Sequence, residues 1–177
     1  MKQILLTSLM LFFLISCGGV KKTQEALNTG NYGNAINTAL KNIAENKTKK
    51  SNQPYIQMLE EAYKKNTERE LQEIAFLKKD NNPANHEIIF NGYQNLKSIQ
   101  ERIKPLLPLK LYDENRDARF SFKDYDEEII KSKRELSDYL YSNATALLNT
   151  GRYKEDFRKA FDQFSYLNDI NPNYKDT

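Results

Sequence analysis

The sequence predicts an all-α protein, built either as helix-turn-helix pairs stacked in an array or as an irregular helical bundle. From residue 24 onward, apolar residues recur at three- and four-residue spacings, the period of a helix with one buried face. Six glycines, five prolines and no tryptophan, among many Lys, Glu, Leu and Asn, suit helices better than sheets. No run of alternating apolar and polar residues is long enough to demand a buried strand.

Residues 24–46 read as two short helices joined at a turn. Leu27, Ala35, Ile36, Ala39, Leu40 and Ile43 form one stripe, and Gly30 stands where a left-handed residue would end the first helix. After a polar break over Lys47 to Gln53, Pro54 opens a long helix to about Lys79, with Tyr55, Leu59, Ala62, Tyr63, Leu71, Ile74 and Ala75 in register. Asn82 is the expected cap of the next helix, whose buried face is Ile89, Tyr93, Leu96, Ile99 and Ile103 and which Pro105 ends. Residues 105–123 are irregular. A helix from Asp124 to about Asn149 carries Ile129, Leu136, Leu140, Ala144 and Leu147. A last one, ending near Asn171-Pro172, carries Phe157, Ala160, Phe161, Phe164 and Leu167.

The start of the chain has a different logic. Lys2 precedes an almost unbroken apolar run from Ile4 to Ile15. A helix of that length rises only about 18 Å against roughly 30 Å for a bilayer core, so the run suits a secretory signal peptide rather than a span. It ends Leu14-Ile15-Ser16-Cys17-Gly18-Gly19, which resembles the lipobox of bacterial lipoproteins. That resemblance implies a diacylglycerol on the Cys17 thiol, cleavage before Cys17, and acylation of the new amino group with palmitate-type chains. An ordinary signal peptide or membrane anchor with an incidental cysteine is the bland alternative. Two or three acyl chains hold a protein stably where one does so only marginally. Cys17 is the only cysteine, so its lipidation leaves no thiol for a disulfide, metal or nucleophile. Gly18 stands where inner-membrane lipoproteins often carry Asp, and Gly19-Val20-Lys21-Lys22 is not the acidic run of some surface lipoproteins. The resemblance thus implies the periplasmic face of the outer membrane.

Removal of residues 1–16 takes away only Lys2, lowering the formal charge from +3 to +2. Lysines are mixed with carboxylates rather than segregated, so no field for nucleic acid is expected. The remaining chain suffices for one domain or two small lobes. The expected organisation is a signal peptide (1–16), a lipidated cysteine with a short tether (17–23), an N-terminal helical region (24–104), an irregular connection (105–123) and a C-terminal helix pair (124–177).

Two places resemble tetratricopeptide repeats, helix-turn-helix units that stack into solenoids. In the first, Gly30, Tyr32, Ala35 and Ala39 match the turn glycine, the aromatic that opens the second helix and two small packing positions. In the second, Phe157, Ala160, Phe164, Leu167 and Pro172 have the spacing of the second helix and the terminal proline. The helices between are too long for the 34-residue period, and the turn over Thr150 to Lys154 is longer than the family's. The combination is similar to uncharacterised bacterial lipoproteins of helical-repeat type. A solenoid closes with a polar capping helix, which Asn171 to Thr177 does not supply. That tail is either a frayed terminus or, as we favour, the point where a longer chain continues.

Candidate chemistry is sparse, and neither a catalytic residue nor a cofactor is expected. The single histidine, His86, reads as a solvated residue near a helix start, and Glu68, Glu70 and Glu73 as a solvated face. Asp113, Asn115, Asp117 and Asp124 occupy positions 1, 3, 5 and 12 of a calcium loop of EF-hand type, where alternate oxygen ligands converge on one cation. Against this, Ala118 replaces the turn glycine, the last ligand is a short Asp, and Pro105 and Pro108 interrupt the entering helix. The competing reading is a polar loop whose Asp124 caps a helix. Tyr112, Phe120, Phe122 and Tyr125 either pack in a core or line a groove for a peptide or glycan, core packing being the commoner use. The expected function is a non-enzymatic, lipid-anchored scaffold that binds another envelope protein; the alternative is a lipoprotein binding a small ligand or glycan through residues 105–123.

Overall fold

The computed structural model describes residues 18–175, and the lipobox with Cys17 lies outside them. The described chain is all-α. Residues 18–28 form α1; α2 is Tyr32–Glu45, α3 Gln53–Asp80, α4 His86–Ile103, α5 Asp126–Thr150 and α6 Lys154–Ile170. Two short strands, β1 (Lys110–Leu111) and β2 (Arg116–Asp117), pair antiparallel, with Lys110 opposite Asp117 and Leu111 opposite Arg116. The chain divides into two compact units. The first holds the described residues up to Arg69 together with Ile99–Phe122; the second holds Glu70–Ser98 and the chain from Lys123.

In the first unit, α1 ends as the sequence predicts. Gly30 has φ +78°, a conformation open to glycine without the Cβ clash that other residues meet. Its N–H donates to the Leu27 carbonyl and that of Asn31 to the Ala26 carbonyl, at 3.3 and 2.8 Å. This pair of bonds satisfies carbonyls that a helix end otherwise orphans. Asn31 then caps α2, its Oδ1 accepting the Asn34 N–H. Ala35 and Ala39 are fully buried, and they share one core with Leu27, Ile36, Ile43 and Leu59. The polar break after α2 is tighter than a solvated loop. Asn52 is buried, and its Nδ2 donates to the Asn42 and Asn46 carbonyls at 2.8 and 2.9 Å, closing the end of α2. Ile56 and Met58, outside the predicted stripe, are buried. Ile99, Ile103, Leu109 and Leu111 complete this core.

In the second unit, Asn82 caps the short 3-10 turn Pro83–Asn85 that leads into α4, by accepting the Ala84 N–H. Ile74, Ile89, Tyr93, Leu96 and Tyr125 form one cluster, and Phe90, Leu136, Leu140 and Leu167 another. Helices α5 and α6 pack as a hairpin, with Ala144 and Ala160 fully buried. Asp156 ties the start of α6 by accepting the Arg152 and Tyr153 N–H groups at 3.0 and 3.1 Å. Four predictions need correction. Ala75 is exposed rather than in the buried stripe, and Leu71, Ile129, Leu147 and Phe164 are only half-buried. Phe157 and Phe161 are exposed, 45% and 72%, because the helical period defines a face without supplying a neighbour to cover it. Helix α5 begins at Asp126, after a buried Tyr125, although Asp124 still accepts the Asp126 N–H at 2.9 Å.

Candidate functional site

The irregular segment is organised by a hairpin. The Asn115 N–H bonds back to the Tyr112 carbonyl at 3.2 Å, and Asn115 itself has φ +48°, a conformation that asparagine tolerates better than most residues. Leu111 anchors the first strand in the core of its unit. Arg116 clasps the hairpin to α3, its Nη1 and Nη2 donating to Glu60 Oε1 and Oε2 at 2.7 and 2.8 Å, while its Nε donates to Glu114 at 2.6 Å. Glu60 also accepts the Arg119 N–H at 2.6 Å. The Arg116 guanidinium holds the Glu60 carboxyl below its ordinary value, outweighing a burial that pushes the other way.

This arrangement bears on the proposed calcium loop. Asp113 and Asn115 lie on the hairpin turn, Asp117 sits on β2 opposite Lys110, and Asp124 belongs to the other unit, where it bonds the start of α5. A β-strand stands where a calcium loop has its entering helix. Among the described residues, no group of three or more His, Cys, Asp or Glu is placed to hold a metal ion. Phe120 and Phe122 stack on one another and meet Tyr63 edge-on at 5.5 and 5.8 Å, the core use of aromatics weighed from the sequence. Tyr112 does not share it and is half exposed. His86 is less solvated than expected: its Nδ1 is buried without a hydrogen bond, 3.9 Å from Glu135, and its ring lies 6.2 Å from that of Tyr139.

Two surfaces stand out. One is a cleft of about 450 Å³ between the start of α3 and the turn of the hairpin. Its wall is set by Gln53, whose Oε1 accepts the Tyr112 N–H at 3.0 Å. From sequence, Gln53 was simply the end of a polar break. The turn residues Asp113 to Asn115 between Leu111 and Arg116 were the only local hint of a hairpin.

The other surface is the outer face of α6. Tyr153, Phe157 and Phe161 are spaced four residues apart and are 74%, 45% and 72% exposed. Phe157 and Phe161, four residues apart within α6, lie on one side of it and form an aromatic ridge, with Tyr153, the extended residue that caps the helix, exposed at its start. Leu148, at the adjoining end of α5, is also exposed. Lys154, Arg158 and Asp162 form a parallel row of mixed charge beside the ridge, and Arg158 lies 3.8 Å from Glu155. No helix of the described residues is long and apolar enough to cross a membrane. Compared with family models, curated proteins and solved structures, the chain matches none.

Proposed function

We propose that this is a lipid-anchored, non-enzymatic protein of the bacterial envelope that recruits another protein through α6. The anchor is the acylated Cys17 implied by Leu14-Ile15-Ser16-Cys17, and the periplasmic face of the outer membrane is the address implied by Gly18. The observation that carries the binding role is the exposed ridge of Phe157 and Phe161, with Tyr153 at its start. Large aromatics left in water are unfavourable for an isolated molecule and are the residues that dominate protein interfaces. A ridge along one helix fits the groove between side-chain rows of another helix. The charges beside it are mixed, so the partner is an amphipathic helix held through its apolar stripe. The non-enzymatic reading rests on the residue inventory, a single histidine and a single cysteine already assigned to lipid.

Photocrosslinking tests it. A benzophenone amino acid at Phe161 should give one reproducible adduct in intact cells, lost on Phe157→Ser. The same amino acid at Lys41, exposed on α2 of the other unit, should not give that adduct. No adduct at Phe161, or the same one from both positions, refutes the reading.

A further inference from the structure

We infer that the cleft between the start of α3 and the β1–β2 turn is a binding site for a neutral saccharide of one or two rings. This does not rest on the role of α6, and it concerns a different unit of the molecule. The volume, about 450 Å³, lies toward the small end of the range for small-molecule sites.

The polar groups around the cleft divide into those already committed and those unspent. Thr48 donates its hydroxyl to Asn46 at 2.9 Å, and Glu114 is held by Arg116 at 2.6 Å. Lys50, Gln57 and Asp113 also line the cleft, and none has a side-chain hydrogen bond or ion pair among the described residues. Gln53 is half spent. Because its Oε1 must face the Tyr112 N–H, the orientation of its amide is fixed, and Nε2 is left buried with no acceptor.

Charge selects the class of ligand. Lys50 and Asp113 offset one another, and Arg116 is shared between Glu114 and Glu60, so the cleft offers no positive field to an anionic ligand. What converges is a pair of donors (Lys50, Gln57) beside an acceptor (Asp113) and the half-exposed ring of Tyr112. Hydroxyl groups accept and donate together, and the apolar face of a sugar ring lies flat on a tyrosine. A neutral saccharide meets every one of these groups; a fatty or purely apolar ligand meets almost none.

The test uses the full-length chain in detergent on an array of neutral and charged saccharides, followed by calorimetric titration of the strongest neutral binder. Binding of a neutral mono- or disaccharide is expected, weakened tenfold or more by Tyr112→Ala and by Asp113→Ala at unchanged melting temperature. Phe161→Ala, on α6, should leave it unchanged, which separates this site from the protein-binding face. Retention of charged glycans only, no binding of any neutral saccharide, or an affinity indifferent to both cleft substitutions overturns the inference.

Discussion

Arg116 reaches Glu60 with both terminal nitrogens, at 2.7 and 2.8 Å, across 56 positions of sequence. A two-pronged pair of this kind fixes direction as well as distance. It sets the β1–β2 hairpin against α3 and thereby forms one side of the cleft. Replacing Glu60 by Ala removes the acceptor of three donors and should cost about 1.5–3 kcal/mol, the range for hydrogen bonds to a charged group. Urea unfolding measures it. An unchanged midpoint would mean the clasp is ornamental.

The same pair makes a pH dependence. The folded-state pKa of Glu60 lies below its unfolded value, so the unfolded chain binds the proton more readily. Its contribution is therefore fully present above the ordinary glutamate value and is lost as pH falls through the lower, folded one. Between pH 7 and pH 3, Glu60→Gln should lose less stability than the parent protein. Parallel losses would contradict this.

Glycines 30 and 33 should respond in opposite directions. A Cβ on either meets no atom within 4 Å, but only Gly30 has positive φ. Gly30→Ala should cost about 1–2 kcal/mol from the left-handed backbone alone. Gly33→Ala, inside α2, should stabilise by roughly 0.5–1 kcal/mol. Thermal melts followed by circular dichroism compare the two.

Ala160 is fully buried on α6, and Lys159 beside it is exposed. Ala160→Leu adds three heavy atoms where helices α5 and α6 meet and should cost about 1–3 kcal/mol. Lys159→Leu should stay within about 0.5 kcal/mol. Equal urea midpoints would refute the close approach of these helices.

For the anchor, Cys17→Ser should abolish incorporation of labelled palmitate and leave an uncleaved or soluble precursor. Label retained near the N-terminus of the variant would remove the lipobox from the account.

The helices were legible because each needs only a local pattern. The spacing of Ile89, Tyr93, Leu96, Ile99 and Ile103 is visible within twenty residues, and all five are buried. Gly30 and Asn82 were legible for the same reason, since a cap is decided by its nearest neighbours. The cleft was not. Its two sides are joined by Gln53 and Tyr112, 59 positions apart, and by Arg116 and Glu60; no periodicity announces a contact made by one pair of side chains. The outer face of α6 was misjudged for a related reason. Phe157 and Phe161 have the spacing of a packing stripe, but whether anything covers them depends on the rest of the molecule.

The first core is assembled from two stretches of sequence separated by Glu70–Ser98. Synthesis at 5–20 residues per second therefore imposes a wait of about 1.5–6 s between the last of the early helices and the first of the residues that seal them. During that interval Ile36, Ile43, Ile56 and Leu59 have no Ile99, Ile103, Leu109 or Leu111 to cover them. On the envelope address proposed above, such a delay would keep the chain threadable while it is handed to the translocation machinery. Its cost falls on the far side, where the same apolar helices need shielding until residue 111 has passed.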